Sequence, residues 1–317
     1  MTKDDMIVKW QKEGYMNRYI NIEKINKKII DNVEATILCD EQKFDKQVAK
    51  IVKKIKRDKS DEKVILIAGP SSAGKTTFSL LLKNAFENSN YNVVTISMDN
   101  FFIDRKKRKR LENGDEDFES LSIVNLEQLE KCFSELFEKR TALFPVYDFV
   151  NCVNIPNQIK IELQKNTIII FEGIHCLNPK LYEKFGKRKL VKIFITNEKG
   201  YRFKKEKISP REIRFIRRVV RDKEKRNTDP LETYALWPNI VKAEKQYIFP
   251  FKKNADFVVD SSHSYELALY KRNLMDIKNT DEKLFKLLSF LPIALESTKI
   301  SKNYIPENSL MWEFVKK

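Results

Sequence analysis

The stretch from Val64 to Thr76 restricts the fold more than any other part of this chain. Val64-Ile-Leu-Ile-Ala68 is a short β-branched apolar run, the pattern of a parallel strand buried on both faces. It runs directly into Gly69-Pro-Ser-Ser-Ala-Gly-Lys-Thr76, after which Phe78, Leu81, Leu82 and Ala85 recur at helical spacing. Strand, Gly-x-x-x-x-Gly-Lys-Thr loop and helix, in that order, match the P-loop pattern in the context it requires. Gly69, Gly74 and the short residues Ser71, Ser72 and Ala73 let the backbone close around an anion, facing the helix's positive end at Thr76 and Thr77. Lys75 would then reach the β and γ phosphates of a nucleotide, and the Thr76 hydroxyl would ligate Mg²⁺.

Further core strands are expected at Val93–Ser97, Thr167–Phe171, Leu190–Ile195 and Ala255–Val259, with helices over Phe44–Ile55 and Leu126–Phe137. Phe144–Val150 and Ile159–Leu163 suit a half-exposed hairpin. The basic run Arg105–Arg110 and the acidic run Glu112–Glu119 suggest a mobile connection. Strands alternating with helices argue an α/β fold, a P-loop NTPase-type parallel sheet with helices on both faces. A helical lid and a helical C-terminal extension (Leu267–Leu274, Leu284–Leu291) complete it. The expected division is a mostly helical lead-in over 1–60, a P-loop domain over 61–262 and the extension over 263–317.

Composition narrows the function classes. With 42% hydrophobic and 11% aromatic residues, the 317-residue chain has ample material for a core, which excludes disorder as its main state. Lys and Arg number 61 against 45 Asp and Glu, so the formal charge is 61 − 45 = +16. These basic residues are interleaved with acids rather than gathered in one tail, so nucleic acid is not expected as a partner. No apolar run approaches the roughly 18 residues of a membrane span, and acids interrupt the start where a secretory signal is apolar. A cytoplasmic protein without membrane contact is expected, with a homo-oligomer left open. Cys39, Cys132, Cys152 and Cys176 are scattered, and only His175 and His263 could join them, which speaks against a zinc site or a disulfide scaffold.

A P-loop alone leaves ATPases, GTPases and small-molecule kinases open, and other residues must choose. No Asn-Lys-x-Asp guanine loop follows a core strand, and Glu172-Gly173 offers one carboxylate where an ATPase motor has an acidic pair. Asp99 and Glu172 each fall at the carboxyl end of an expected strand, the edge where such sheets carry ligands. There one carboxylate can orient an attacking hydroxyl while acids and Thr76 hold Mg²⁺. Arg214, Arg217, Arg218 and Arg221, at i, i+3, i+4 and i+7, share one side of a helix that would repel itself without an anion against it. Such a lid would neutralise phosphoryl charge. Phe101, Phe102, Phe118, Tyr147 and Phe149 follow strand edges, as core or as a stacking surface for a planar base. His175 reads as a satisfied loop histidine.

Together these residues resemble the uridine kinase and phosphoribulokinase family of P-loop kinases, in a longer bacterial uridine kinase-like branch. The resemblance rests on Gly69–Thr77, Ser97-Met-Asp-Asn-Phe-Phe102, Asp117-Phe-Glu119, Pro145-Val-Tyr-Asp-Phe149, Phe171-Glu-Gly-Ile174, Arg214-x-x-Arg-Arg-x-x-Arg-Asp222, Trp237-Pro238, Ile248-Phe-Pro-Phe251 and Ile305–Phe314. It implies that Lys75 and Thr76 hold phosphate and Mg²⁺, that Asp99 activates the acceptor hydroxyl and that Glu172 assists at the metal. It further implies that Phe102, Phe118, Tyr147 and Phe149 line a nucleoside pocket with Glu119 near the ribose hydroxyls. Arg218 and Arg221 would act in catalysis, and Arg214 and Arg217 in nucleotide binding. Members of that branch often carry an N-terminal region resembling parts of threonyl-tRNA synthetase, expected here to be truncated or absent. The chain departs in having Asp99-Asn100 where the branch has two adjacent acids, and Cys152 where pyrimidine nucleoside kinases place a histidine.

The resemblance implies an ATP- and Mg²⁺-dependent kinase acting on the 5′-hydroxyl of uridine or cytidine. Two alternatives stand beside it: a kinase of the same fold for another small alcohol, and a non-catalytic, nucleotide-dependent RNA-binding protein.

Overall fold

The computed structural model describes residues 18–58, 63–109, 119–186, 188–280 and 300–317. A short strand β1 (Arg18–Asn21) leads into helices α1 (Ile22–Asp31) and α2 (Val33–Lys56), followed by β2 (Lys63–Ala68), α3 (Lys75–Glu87) and β3 (Asn92–Ser97). Then come α4 (Leu126–Lys139), the hairpin β4 (Thr141–Asp148) and β5 (Val153–Glu162), β6 (Thr167–Glu172), α5 (Pro179–Tyr182) and β7 (Leu190–Thr196). A second hairpin, β8 (Lys199–Phe203) and β9 (Glu206–Ile208), precedes α6 (Pro210–Arg226), α7 (Pro230–Ala243), β10 (Phe257–Asp260) and α8 (Glu266–Thr280).

Five strands form one parallel sheet in the order β10-β7-β2-β6-β3. Its centre, β2, is buried along its whole length, which is why its run from Val64 to Ala68 is continuously apolar rather than alternating. The period-2 geometry sorts that run between two layers. Ile65 and Ile67 join α2, α3, α8 and residues 305–315 in one apolar core, while Val64, Leu66 and Ala68 face a second core with α4 and Phe101, Phe133, Phe144, Phe171 and Phe185. The α/β architecture expected from the sequence is therefore present, with helices on both faces.

The expected strands and helices are found at β2, β3, β6, β7, β10, α2, α3 and α4, and the hairpin at β4 and β5. The sequence reading missed β1, which pairs in parallel with β8, and the β8–β9 hairpin beside it. These strands of three to five residues carry too little pattern to stand out from their charged surroundings. Leu267–Leu274 lies within α8, whereas the expected helix at Leu284–Leu291 and residues 110–118 of the expected connection lie outside the described residues. No described helix is long and apolar enough to cross a membrane.

Candidate active site

The loop after β2 takes the shape its glycines permit. Gly74, at φ 95°, sits in the left-handed region as the N-cap of α3, and a Cβ there would lie 2.6 Å from a Leu310 methyl. Gly69 packs so closely on β7 that a Cβ would fall 2.2 Å from the Ile195 carbonyl oxygen. Lys75 folds back over the loop, its Nζ donating to the carbonyls of Gly69 at 2.9 Å and Pro70 at 3.1 Å.

Sheet register brings the acids to this loop. Ser97 of β3 lies opposite Glu172 of β6, so the chain following β3 and the end of β6 emerge side by side. Asp99 follows in a short 3₁₀ turn whose N–H bonds the Ser97 hydroxyl at 3.3 Å. Burial pushes the Asp99 carboxyl above its ordinary value, against Lys75, Arg226 and Arg108, which favour its charged form. Burial likewise raises Glu172 to about 7; Lys75 opposes this and the charge of Asp99 adds to it. Glu119 is also pushed up to about 7 by burial, with Arg218 and Lys75 pulling down and Glu244 and Asp99 pushing up. Lys75 thus favours the charged form of all three acids, and burial opposes it at each.

A divalent cation beside Asp99 and Glu172 would favour the charged forms that burial opposes. Among the described residues no group of three or more His, Cys, Asp or Glu could hold a metal unaided. A hydroxyl and one or two carboxylates, completed by phosphate oxygens and water, are the donor set that Mg²⁺ takes. Thr76, Asp99 and Glu172 fit that description.

Helix α6 carries the four arginines, and here the structure corrects the expectation of one face turned to an outside anion. Two of the anions are the protein's own. Arg214 makes a bidentate pair with Glu244 at 2.5 and 2.7 Å, and Arg217 binds Glu266 at 2.7 and 3.2 Å, with all four side chains buried. The same guanidinium groups hold loop carbonyls, Arg214 that of Ser71 at 3.1 Å and Arg217 that of Ser72 at 3.5 Å. Arg218 reaches the Ser71 hydroxyl at 2.7 Å, and Arg221 pairs with Asp222 at 2.8 Å. Arg214 and Arg217 therefore brace the loop, leaving Arg218 and Arg221 as the arginines of this face that the two buried glutamates do not hold.

Two loop donors are met by carboxylates from distant parts of the chain. The Ser71 N–H donates to Glu244 at 3.2 Å and the Thr77 N–H to Glu313 at 3.1 Å. Glu313 belongs to a C-terminal segment, residues 300–317, that Lys225 grips at the Trp312 carbonyl and Arg217 covers at the Phe314 ring, 4.8 Å away. Sequence reasoning gave no role to Glu244 and Glu266, for which no local pattern exists, nor to Glu313 within the Ile305–Phe314 motif.

The aromatic residues separate. Phe101 is core, whereas Phe102 and Tyr147 pack edge to face at 5.6 Å. Phe149 lies against Tyr147 at 5.1 Å but is 63% exposed, which makes it a rim residue. Phe118 lies outside the described residues. His175 is buried with its ring 6.3 Å from Tyr247. Arg108, not singled out in the sequence, donates to the Tyr147 hydroxyl at 2.7 Å.

Residues 64–268 match the family described as the Phosphoribulokinase / Uridine kinase family. A uridine kinase of Ureaplasma urealyticum serovar 10 is 23% identical over 211 residues, which cover 66% of this chain and 93% of that protein. The uridine kinase of Saccharomyces cerevisiae is 27% identical over 205 residues, 62% of this chain and 36% of its own length. A solved structure described as a possible uridine kinase from Bacillus stearothermophilus aligns with a TM-score of 0.43 at 19% identity, covering 69% of this chain and 100% of that one. Because the family match spans well over half of the chain and includes the loop, the strand-end acids and α6, this protein belongs to the phosphoribulokinase and uridine kinase family.

Proposed function

We propose that this protein transfers the γ-phosphoryl group of ATP to the 5′-hydroxyl of a pyrimidine nucleoside, uridine or cytidine. The observation that carries the reading is the sheet register, which sets Glu172 at the end of β6 beside the end of β2 that leads into the phosphate loop, and beside the chain after β3 that carries Asp99. Phosphoryl transfer asks mainly for positioning and charge neutralisation; the acids serve the first, and Lys75 with the arginines of α6 serves the second. Asp99 orients the attacking hydroxyl and accepts its proton, a task suited to a carboxyl whose burial raises its basicity. The loop N–H groups and Lys75 cradle the phosphates, and Arg218 and Arg221 offset charge on the moving group. Mg²⁺, held by Thr76 and Glu172 with Asp99 nearby, would neutralise charge on the phosphate oxygens when bound. Glu119 receives the sugar hydroxyls, and Phe102 and Tyr147 face the base with Phe149 at the rim.

Cys152 in place of a histidine favours a second reading, a kinase of this fold for another small alcohol. A coupled ADP-release assay with ATP and Mg²⁺ against nucleosides, pantothenate and sugar alcohols separates the two, with Lys75→Ala as the blank. Turnover on uridine or cytidine alone supports the nucleoside reading, and turnover only on another acceptor replaces it. Asp99→Asn is expected to keep ATP binding and lower kcat by orders of magnitude. Ordinary turnover in that variant would remove Asp99 from its assigned role.

A further inference from the structure

The basic run that begins at Arg105 sends one side chain inward. The Arg108 guanidinium lies 5.4 Å from the centroid of Phe102 and 5.3 Å from that of Tyr147. Nη2 donates to the Tyr147 hydroxyl at 2.7 Å and Nε to the Ile103 carbonyl at 3.2 Å. Two hydrogen bonds and two ring faces fix a side chain that would otherwise sample many rotamers. Among the described residues, Nη1 has no hydrogen-bond partner.

The neighbouring polar groups on this wall that are not shut away from solvent are already engaged; Gln128 donates to Asn154 Oδ1 at 3.3 Å and keeps its own Oε1 buried. Asn154 donates from Nδ2 to the carbonyls of Asn100 at 2.9 Å and Phe102 at 3.1 Å, and from its backbone N–H to Asp104 at 2.8 Å. The second oxygen of Asp104 pairs with Lys107 at 2.8 Å. The Cys152 thiol donates to the Phe149 carbonyl at 3.5 Å. What this wall offers a ligand is therefore a donor, since a guanidinium donates and never accepts. It stands beside the two rings and near enough to Asp99 to favour that carboxylate's charge.

We propose that Arg108 is a specificity-determining residue that reads the acceptor's base, donating from Nη1 to a ring carbonyl of the pyrimidine. This inference rests on the nucleoside reading above. It assigns the base contact to a residue from the loop after β3, in place of the thiol that stands where a histidine was expected. A group that only donates favours base edges that accept and gains nothing from an edge stripped of its carbonyl.

The test is a ligand and residue cycle in the intact protein. Uridine is compared with two ribosides, one lacking the 4-oxo and one the 2-oxo group, in the wild type and in Arg108→Ala. The expected result is a uridine KM raised roughly 10- to 100-fold by Arg108→Ala, the range for losing a charge-assisted hydrogen bond. kcat, the KM for ATP and the melting temperature should change little. For one of the two analogues the effect of the substitution should vanish, because the bond it removes is already absent. An equal loss on uridine and both analogues, an unchanged uridine KM, or a parallel rise in the KM for ATP would overturn the assignment. Failure of the nucleoside reading is seen separately, in a wild type that phosphorylates another alcohol and no nucleoside, and the assignment falls with it.

Discussion

Burial decides the charge state of Glu119 more than any neighbour does. Its carboxyl is raised to about 7 although Arg218 and Lys75 both favour ionisation. Between its ordinary value of 4.5 and about 7, the folded protein keeps a proton that the unfolded chain has released. Stability of the ligand-free protein from this group is therefore lost as pH rises through that window. Melting temperatures of the wild type and Glu119→Gln across pH 4.5 to 7 check this, with a shallower decline expected in the variant. Parallel curves would place the slope elsewhere. At this scale the sequence was informative where an acid ended a strand, as at Asp99 and Glu172. It was silent at Arg108, because one arginine within a basic run carries no pattern and only the packing of Phe102 and Tyr147 turns it inward.

Among the elements, α6 shows how far periodicity reaches. The i, i+3, i+4, i+7 spacing correctly put four arginines on one side of a helix, and the capping box of Ser209 and Glu212 starts that helix firmly. The partners of that face were out of reach, since Glu244 lies 30 positions beyond Arg214 and Glu266 lies 49 beyond Arg217. A buried pair of this kind is costly to break from one side. Arg214→Ala should destabilise the fold by about 3–5 kcal/mol, and Arg214→Met with Glu244→Leu should recover most of that loss. Urea denaturation of the three proteins measures both, and a mild single-variant effect would mean that water reaches Glu244. The strands β1, β8 and β9 were illegible for a related reason: β1 pairs with a strand some 180 positions away, and nothing in Arg-Tyr-Ile-Asn announces it.

Across the whole molecule, the phosphate loop is closed by chain from far outside the P-loop motif. Glu313 holds the Thr77 N–H at the positive end of α3, where a phosphate would also bind. A carboxylate and a nucleotide compete for that donor, so Glu313→Gln should bind ATP about 2- to 5-fold more tightly, the worth of one charge at a helix terminus. Calorimetric titration with ATP gives the number, and weaker binding by the variant would show that Glu313 stays in place beside the nucleotide. The sheet and its central loop were visible in the sequence because each is a local pattern. Ile305–Phe314 carried a resemblance in the sequence, yet the seat of residues 300–317 on the loop could not be read there, since it depends on three-dimensional closure.

That closure also sets a schedule. Thr77 and Glu313 are 236 positions apart, and Glu41 and Ser309, bonded at 2.7 Å, are 268 apart. At ordinary translation speeds of about 5–20 residues per second, roughly 10 to 50 seconds separate the synthesis of the loop from that of the carboxylate that closes it. The loop also needs β6 and β7, the neighbours of β2, which are made within that interval and still before Glu313, so a nucleotide that meets the newly flanked loop would arrive before its own competitor has been made.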